Sequence, residues 1–154
     1  MKNREIAAVF DEMADILEVK GDNPFKVRAY RRASLSLRGL TRSVEELSRE
    51  ELLEIPGVGE ELAAKIGEYC STGVVHAHEK LKGEVPAGLI QLLAVPGLGP
   101  KTARLLVEKA GIADLDALEK AAREHRLAGI PGIQAKTEEN ILKGLRGIQV
   151  KRKK

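Results

Sequence analysis

Cysteine is all but missing. Cys70 stands alone among 154 residues, so neither a disulfide framework nor a cysteine-based metal site can form within the chain. Aromatics are scarce too, with two Phe, two Tyr and no Trp, and every apolar run is too short to span a bilayer. The first residues do not resemble a secretory signal, and no segment alternates with period two for long enough to read as a strand. These absences lead to an expectation of an all-α, soluble, cytoplasmic protein with no membrane partner. A chain of this length holds one medium-sized domain or two small ones, with enough core to need no staples.

Charge is present but unevenly spread. The net charge is only +3, yet Lys20, Lys26, Arg28, Arg31, Arg32, Arg38 and Arg42 fall in one stretch opposed only by Asp22. Lys143, Arg146, Lys151, Arg152, Lys153 and Lys154 form a second basic stretch with no acid after Glu139, while Glu45, Glu46, Glu50, Glu51, Glu54, Glu60 and Glu61 crowd a segment between them. Basic runs are more often solvated faces than binding sites, so this pattern points only weakly to a polyanionic partner.

Helical periodicity is clear at the start. Ile6, Val9, Phe10, Met13, Ile16 and Leu17 make one amphipathic helix ending at Gly21. Asp22-Asn23-Pro24 then offers a cap and a first-turn proline, and Phe25, Ala29, Tyr30, Ala33 and Leu37 make the apolar stripe of a second helix ending at Gly39. Ser43 with Glu46, and Ser48 with Glu51, have capping-box spacing.

The chain also repeats itself. Leu52-Leu53-Glu54-Ile55-Pro56-Gly57-Val58-Gly59 aligns with Leu92-Leu93-Ala94-Val95-Pro96-Gly97-Leu98-Gly99. A weaker third copy, Leu127-Ala128-Gly129-Ile130-Pro131-Gly132-Ile133-Gln134, has Gln where the others have a second Gly. Each copy joins two helices by Pro-Gly-apolar-x. Pro stops the first helix, and the first Gly supplies the positive φ of a reversing turn. The apolar residue, Val58, Leu98 or Ile133, plugs the gap between the helices. A second Gly leaves room for a phosphate beside the unpaired N–H groups and positive dipole end of the next helix. Lys101 and Lys136 add charge there, with Thr102 next to Lys101. Contacts of this kind read the DNA backbone rather than the bases. A lone Pro-Gly-x-Gly would read simply as a tight helix connection; its recurrence favours DNA binding through Gly57, Gly59, Gly97, Gly99, Lys101, Thr102 and Lys136, with the third copy mainly structural.

The string Lys20-Gly21-Asp22-Asn23-Pro24-Phe25-Lys26-Val27-Arg28-Ala29-Tyr30-Arg31-Arg32-Ala33, with the first two hairpins and Lys136-Thr137-Glu138-Glu139-Asn140-Ile141-Leu142, resembles the N-terminal region of prokaryotic family X DNA polymerases, relatives of DNA polymerase beta. The resemblance covers nearly the whole chain. It implies a polymerase-beta-like lyase domain over residues 1–82 containing the first hairpin, a second domain of tandem helix-hairpin-helix motifs over 83–148, and a basic tail over 149–154. It carries no palm with metal-binding aspartates, and so no polymerisation, which leaves a free-standing relative or a fragment of a longer enzyme as alternatives. It further implies DNA repair on gapped or 5′-phosphorylated DNA, near the nucleoid, with a repair-protein partner and oligomeric state left open. By position it gives Lys26 and Tyr30 to a 5′-phosphate, Phe25 to stacking on a template base, and Arg28 to a share of the phosphate. It also places a monovalent cation, Na+ or K+, on the main-chain carbonyls of Leu53, Ile55 and Val58, and of Leu93, Val95 and Leu98.

In lyase-active relatives of this kind a lysine attacks the sugar aldehyde of an abasic 5′ end, and the matching residue is Lys65. Glu61 stands one turn earlier and favours the charged ammonium, opposing a nucleophilic role. The expectation is therefore of a surface lysine paired with Glu61, with 5′-deoxyribose-phosphate lyase activity as the alternative and a protein-interaction module as the second alternative. Phe25 and Tyr30 equally suit core aromatics of the second helix. Gly97-Leu98-Gly99-Pro100-Lys101-Thr102 lacks the spacing of a nucleotide loop, His76 and His78 read as surface residues rather than a zinc site, and Asp114 reads as a helix cap rather than a metal ligand.

Overall fold

A computed structural model describes residues 1–152, with side chains through residue 148. Among these residues there is no strand. The fold is all-α, and the chain divides into two compact units, Met1–Lys82 and Gly83–Lys154.

The first unit begins with α1 (Asn3–Val19) and α2 (Pro24–Gly39). Helix α1 buries Ile6, Phe10, Met13 and Leu17, the three-and-four spacing of one face. Each such side chain contributes about 1.5–3 kcal/mol by leaving water. The connection reverses through Gly21, whose φ is +74°, and the Asn23 side chain caps α2 by accepting the Phe25 N–H at 2.9 Å. Phe10 and Tyr30 then meet edge to face, with centroids 5.5 Å apart. The buried face of α2 is Val27, Tyr30, Ala33, Ser34 and Leu37. Phe25 and Ala29 are exposed, unlike in the stripe predicted from spacing. Phe25 lies about 200° around the helix from Val27, so once Val27 and Tyr30 face inward Phe25 must face out.

A 3-10 turn (Val44–Glu46) and α3 (Arg49–Leu53) follow. Ser48 and Glu51 make the full capping box. Ser43 does not: its hydroxyl accepts from Glu45 N–H, because a single 3-10 turn brings the second residue, not the third, into reach. Buried Asn3 ties this segment to α1, donating to the Arg42 carbonyl at 2.8 Å and accepting from Val44 N–H at 2.9 Å. Helices α4 (Glu60–Thr72) and α5 (His76–Gly83) complete the core. His78 on α5 is 8% exposed, against its reading as a surface residue, and its Nε2 lies 3.2 Å from Glu12 of α1. His76 is exposed and pairs with Glu68.

The second unit holds α6 (Ala87–Leu93), α7 (Pro100–Ala110), α8 (Leu115–Arg123), a 3-10 turn (Leu127–Gly129) and α9 (Ala135–Arg152). Asp114 caps α8, accepting the Ala117 N–H at 2.7 Å. Leu92, Leu106, Leu118, Leu127 and Ile141 are fully buried. Gly144 lets α9 lie directly on the second hairpin, since a Cβ there would stand 2.1 Å from the Pro96 carbonyl oxygen. Helix α9 runs to Arg152, into the stretch assigned to a basic tail, and the side chains from residue 149 onward lie outside the described residues. No helix among the described residues is long and apolar enough to cross a membrane.

Candidate nucleic-acid interface

The three repeats fold into the same turn. Val58 N–H donates to the Ile55 carbonyl at 3.0 Å, Leu98 to Val95 at 3.1 Å and Ile133 to Ile130 at 3.0 Å. In each turn Pro sits at the second position and Gly at the third with φ of +87°, +84° and +92°, a type II turn in which a side-chain-bearing residue is strained at the third place. Val58, Leu98 and Ile133 are buried as the plugs that the spacing predicts.

The second glycine has a different use. Gly59 and Gly99 have ordinary extended backbones, at φ −98° and −89°, and a Cβ on either would meet nothing within 4 Å. Neither conformation nor packing requires glycine there. What the missing side chain provides is an open approach to the first turns of α4 and α7, which have no side-chain cap of their own. At α7 the approach is flanked by exposed Lys101 and half-buried Thr102.

The three helix starts differ in charge. Helix α4 carries Glu60 and Glu61, where α7 carries Pro100 and Lys101 and α9 carries Ala135 and Lys136. Glu60 pairs with Arg49, and Glu61 lies 3.3 Å from Lys65 Nζ. In the third hairpin Gln134 leaves the turn intact, but Glu138 reaches back to accept the Ala128 N–H at 2.8 Å. That ties the first turn of α9 back to the 3-10 turn before the hairpin, and Lys136 is exposed.

The expected pocket on the first unit is only partly assembled. Phe25 is 74% exposed, with the Arg28 guanidinium 4.7 Å above its ring. Lys26 is exposed as well. Tyr30, by contrast, is 3% exposed and belongs to the core, where burial raises its hydroxyl pKa to about 12. Its reading as a core aromatic therefore stands, and burial takes it out of the set of exposed groups that could meet a 5′-phosphate. Lys65 is not the surface lysine expected: its side chain is only 14% exposed, although the pairing with Glu61 is as predicted.

Much of the basic run on α2 and just after it is answered in space by acids elsewhere in the chain. Arg31 lies 3.0 Å from Asp15, Arg38 2.9 Å from Asp11 and Arg42 3.1 Å from Glu51. Lys26, Arg28 and Arg32 remain directed to solvent, and Arg32 is a residue that spacing alone did not single out.

The carbonyls suggested for a cation fit that role in part. Ile55 and Val95 each accept one turn hydrogen bond and keep a second lone pair. Among the described residues the carbonyls of Leu53 and Val58, and of Leu93 and Leu98, accept none of the loop backbone hydrogen bonds. Oxygen-only donors of this kind suit a hard cation. No cluster of three His, Cys, Asp or Glu residues capable of holding a metal occurs among the described residues.

The sequence is similar to known families and to a known protein. The helix-hairpin-helix domain family matches residues 1–75, and the SAM-like helix-hairpin-helix tandem family matches residues 89–146. The DNA polymerase/3'-5' exonuclease PolX of Bacillus subtilis (strain 168) is 36% identical over 138 residues, which make up 90% of this chain but only 24% of that protein. Helix-hairpin-helix domains therefore account for most of the chain, and over most of its length it is similar to a family X DNA polymerase.

Proposed function

We propose that this chain binds DNA without sequence preference, through phosphate contacts at its hairpins, and acts in DNA repair on gapped or 5′-phosphorylated DNA. The observation that carries this reading is the start of α7, where Gly99 leaves uncapped N–H groups open to solvent beside Lys101. A phosphate oxygen placed there gains hydrogen bonds, the helix dipole and a cation together. The relative's name, a polymerase and exonuclease, supports a DNA substrate. Under this reading the carbonyls of Leu53, Ile55 and Val58, and of Leu93, Val95 and Leu98, would hold Na+ or K+. A cation there would add positive charge between the turn and the phosphate.

The test is binding of duplex, single-stranded and 5′-phosphorylated gapped DNA across a salt series. Affinity should fall linearly on a log-log plot with salt and should not depend on sequence. If no DNA form binds at low salt, the reading is wrong and a protein-interaction module takes its place.

One observation favours the lyase alternative: Lys65 is largely covered, as a Schiff-base lysine needs to be. The Glu61 carboxylate against its ammonium opposes it, and binding without lyase chemistry is the better supported of the two.

A further inference from the structure

The first hairpin has the turn of the other two but lacks their first-turn lysine, and the structure shows a cation arriving from elsewhere. Gly57, at the apex of the turn, lies against α2. A Cβ on Gly57 would stand 2.9 Å from Cγ and 3.2 Å from Cδ of Arg32, with the Ala33 backbone nitrogen next at 3.4 Å. One turn further along α2, the Ser36 hydroxyl donates to the Pro56 carbonyl at 2.7 Å. The Pro56-Gly57 apex is thus seated on the Arg32-to-Ser36 turn of α2, with the Arg32 stem lying across the glycine. Arg32 is exposed and has no ion-pair partner among the described residues, whereas Arg31, Arg38 and Arg42 are each paired. It also continues a solvent-facing stripe, since Phe25, Arg28 and Arg32 recur at helical spacing.

We infer that Arg32 is the phosphate-binding cation of the first hairpin, supplied by α2 in place of the lysine that α7 and α9 supply from their own first turns. Glu60 and Glu61 do not cancel it, because Arg49 and Lys65 already engage them. Arginine suits this role, because its aliphatic stem can pack on the turn while the planar head presents several N–H donors to phosphate oxygens. This inference rests on the DNA-binding reading, and its test separates the two.

The probe is an intact fluorescent duplex, compared with a gapped duplex carrying or lacking a 5′-phosphate, titrated with the full chain and its variants across a salt series. Arg32→Gln keeps the stem on Gly57 and removes the charge. It should lower affinity for the intact duplex roughly three- to tenfold and reduce the salt slope by about one, the signature of one lost phosphate contact. Arg32→Lys should restore most of the slope. Lys101→Ala is run in parallel as the test of the parent reading. An unchanged slope in folded Arg32→Gln, with Lys101→Ala reducing it, overturns the role of Arg32 and leaves DNA binding standing. A loss confined to the 5′-phosphorylated gap also overturns it, because the residue would then serve a strand end rather than the hairpin. Absence of binding by the unaltered chain overturns both, and so does binding to which neither residue contributes.

Discussion

Lys65 and Glu61 on α4 decide whether the first unit can do covalent chemistry. Nucleophilic attack needs the free lone pair of the amine, and the Lys65 ammonium instead donates to a carboxylate 3.3 Å away. Borohydride should therefore trap little adduct between the unaltered chain and 5′-deoxyribose-phosphate DNA. Glu61→Lys removes the acceptor and sets a like charge one turn from Lys65, so trapping should rise severalfold and disappear again in the Glu61→Lys, Lys65→Ala double variant. Efficient trapping by the unaltered chain would make the protein a lyase. A second pair governs acid stability. The His78 ring beside Glu12 holds that carboxyl below its ordinary 4.5 despite partial burial. A depressed carboxyl stabilises the fold above its unfolded pKa and loses that contribution as pH falls through the folded one. The melting-temperature difference between the unaltered chain and Glu12→Gln should thus be full near neutrality and vanish as pH drops below 4.5. Burial raises the Asp15 carboxyl from 3.8, which works in the opposite direction, so Glu12→Gln is compared with Asp15→Asn. A difference that persists at low pH would show that the Glu12 pair is not the cause. The Glu61–Lys65 pairing was legible in the sequence because both partners lie on one helix at i,i+4. The His78–Glu12 pair was not, because its partners are brought together only when α5 packs on α1.

At the scale of the element, the two glycines of each complete hairpin make separable predictions. Gly97 has φ of +84°, and a Cβ there would press on the Asn140 backbone at 3.3 Å. Gly97→Ala should cost about 1–2 kcal/mol through left-handed strain. In a domain of this size that is a fall of roughly 4–16 °C in melting temperature. The Cβ of Gly99→Val meets no neighbour and the backbone there is allowed, so the change should cost no more than about 1 kcal/mol as a poorer cap. Its expected effect is on DNA, with weaker duplex binding and no change in relative sequence preference. Thermal melts and titrations of the two variants check this, and a folded Gly99→Val chain that binds as before would remove the second hairpin from the interface. The turns could be read from sequence because Pro, Gly and the plug each answer a local backbone demand. Arg32 could not, because its place beside Gly57 depends on how α2 packs against a turn more than twenty residues further along the chain.

For the molecule as a whole, the sequence carried the helical class, the repeats and the family resemblance, since period, turn chemistry and motif strings all lie along the chain. It overstated the free positive charge, because the acids of α1 that neutralise Arg31 and Arg38 are distant in sequence and near in space. Each unit has its own buried apolar set, with Phe10, Leu37 and Ile66 in one and Leu92, Leu118 and Ile141 in the other. Chains of residues 1–82 and 83–154 made separately should each melt cooperatively, with helical circular dichroism that sums to that of the intact chain. A fragment that is unfolded alone would show that its core depends on the other unit. The open first turns have a consequence of another kind. The charged residues there contribute little to the folding of the turn itself, so the charge of a hairpin can change without the protein having to refold. Glutamate and lysine codons differ by a single base, so one point mutation cancels the negative charge of Glu60 and Glu61 at the first hairpin and a second makes it basic. Selection can therefore adjust the grip of this scaffold on a polyanion one hairpin at a time, through intermediates that all still fold.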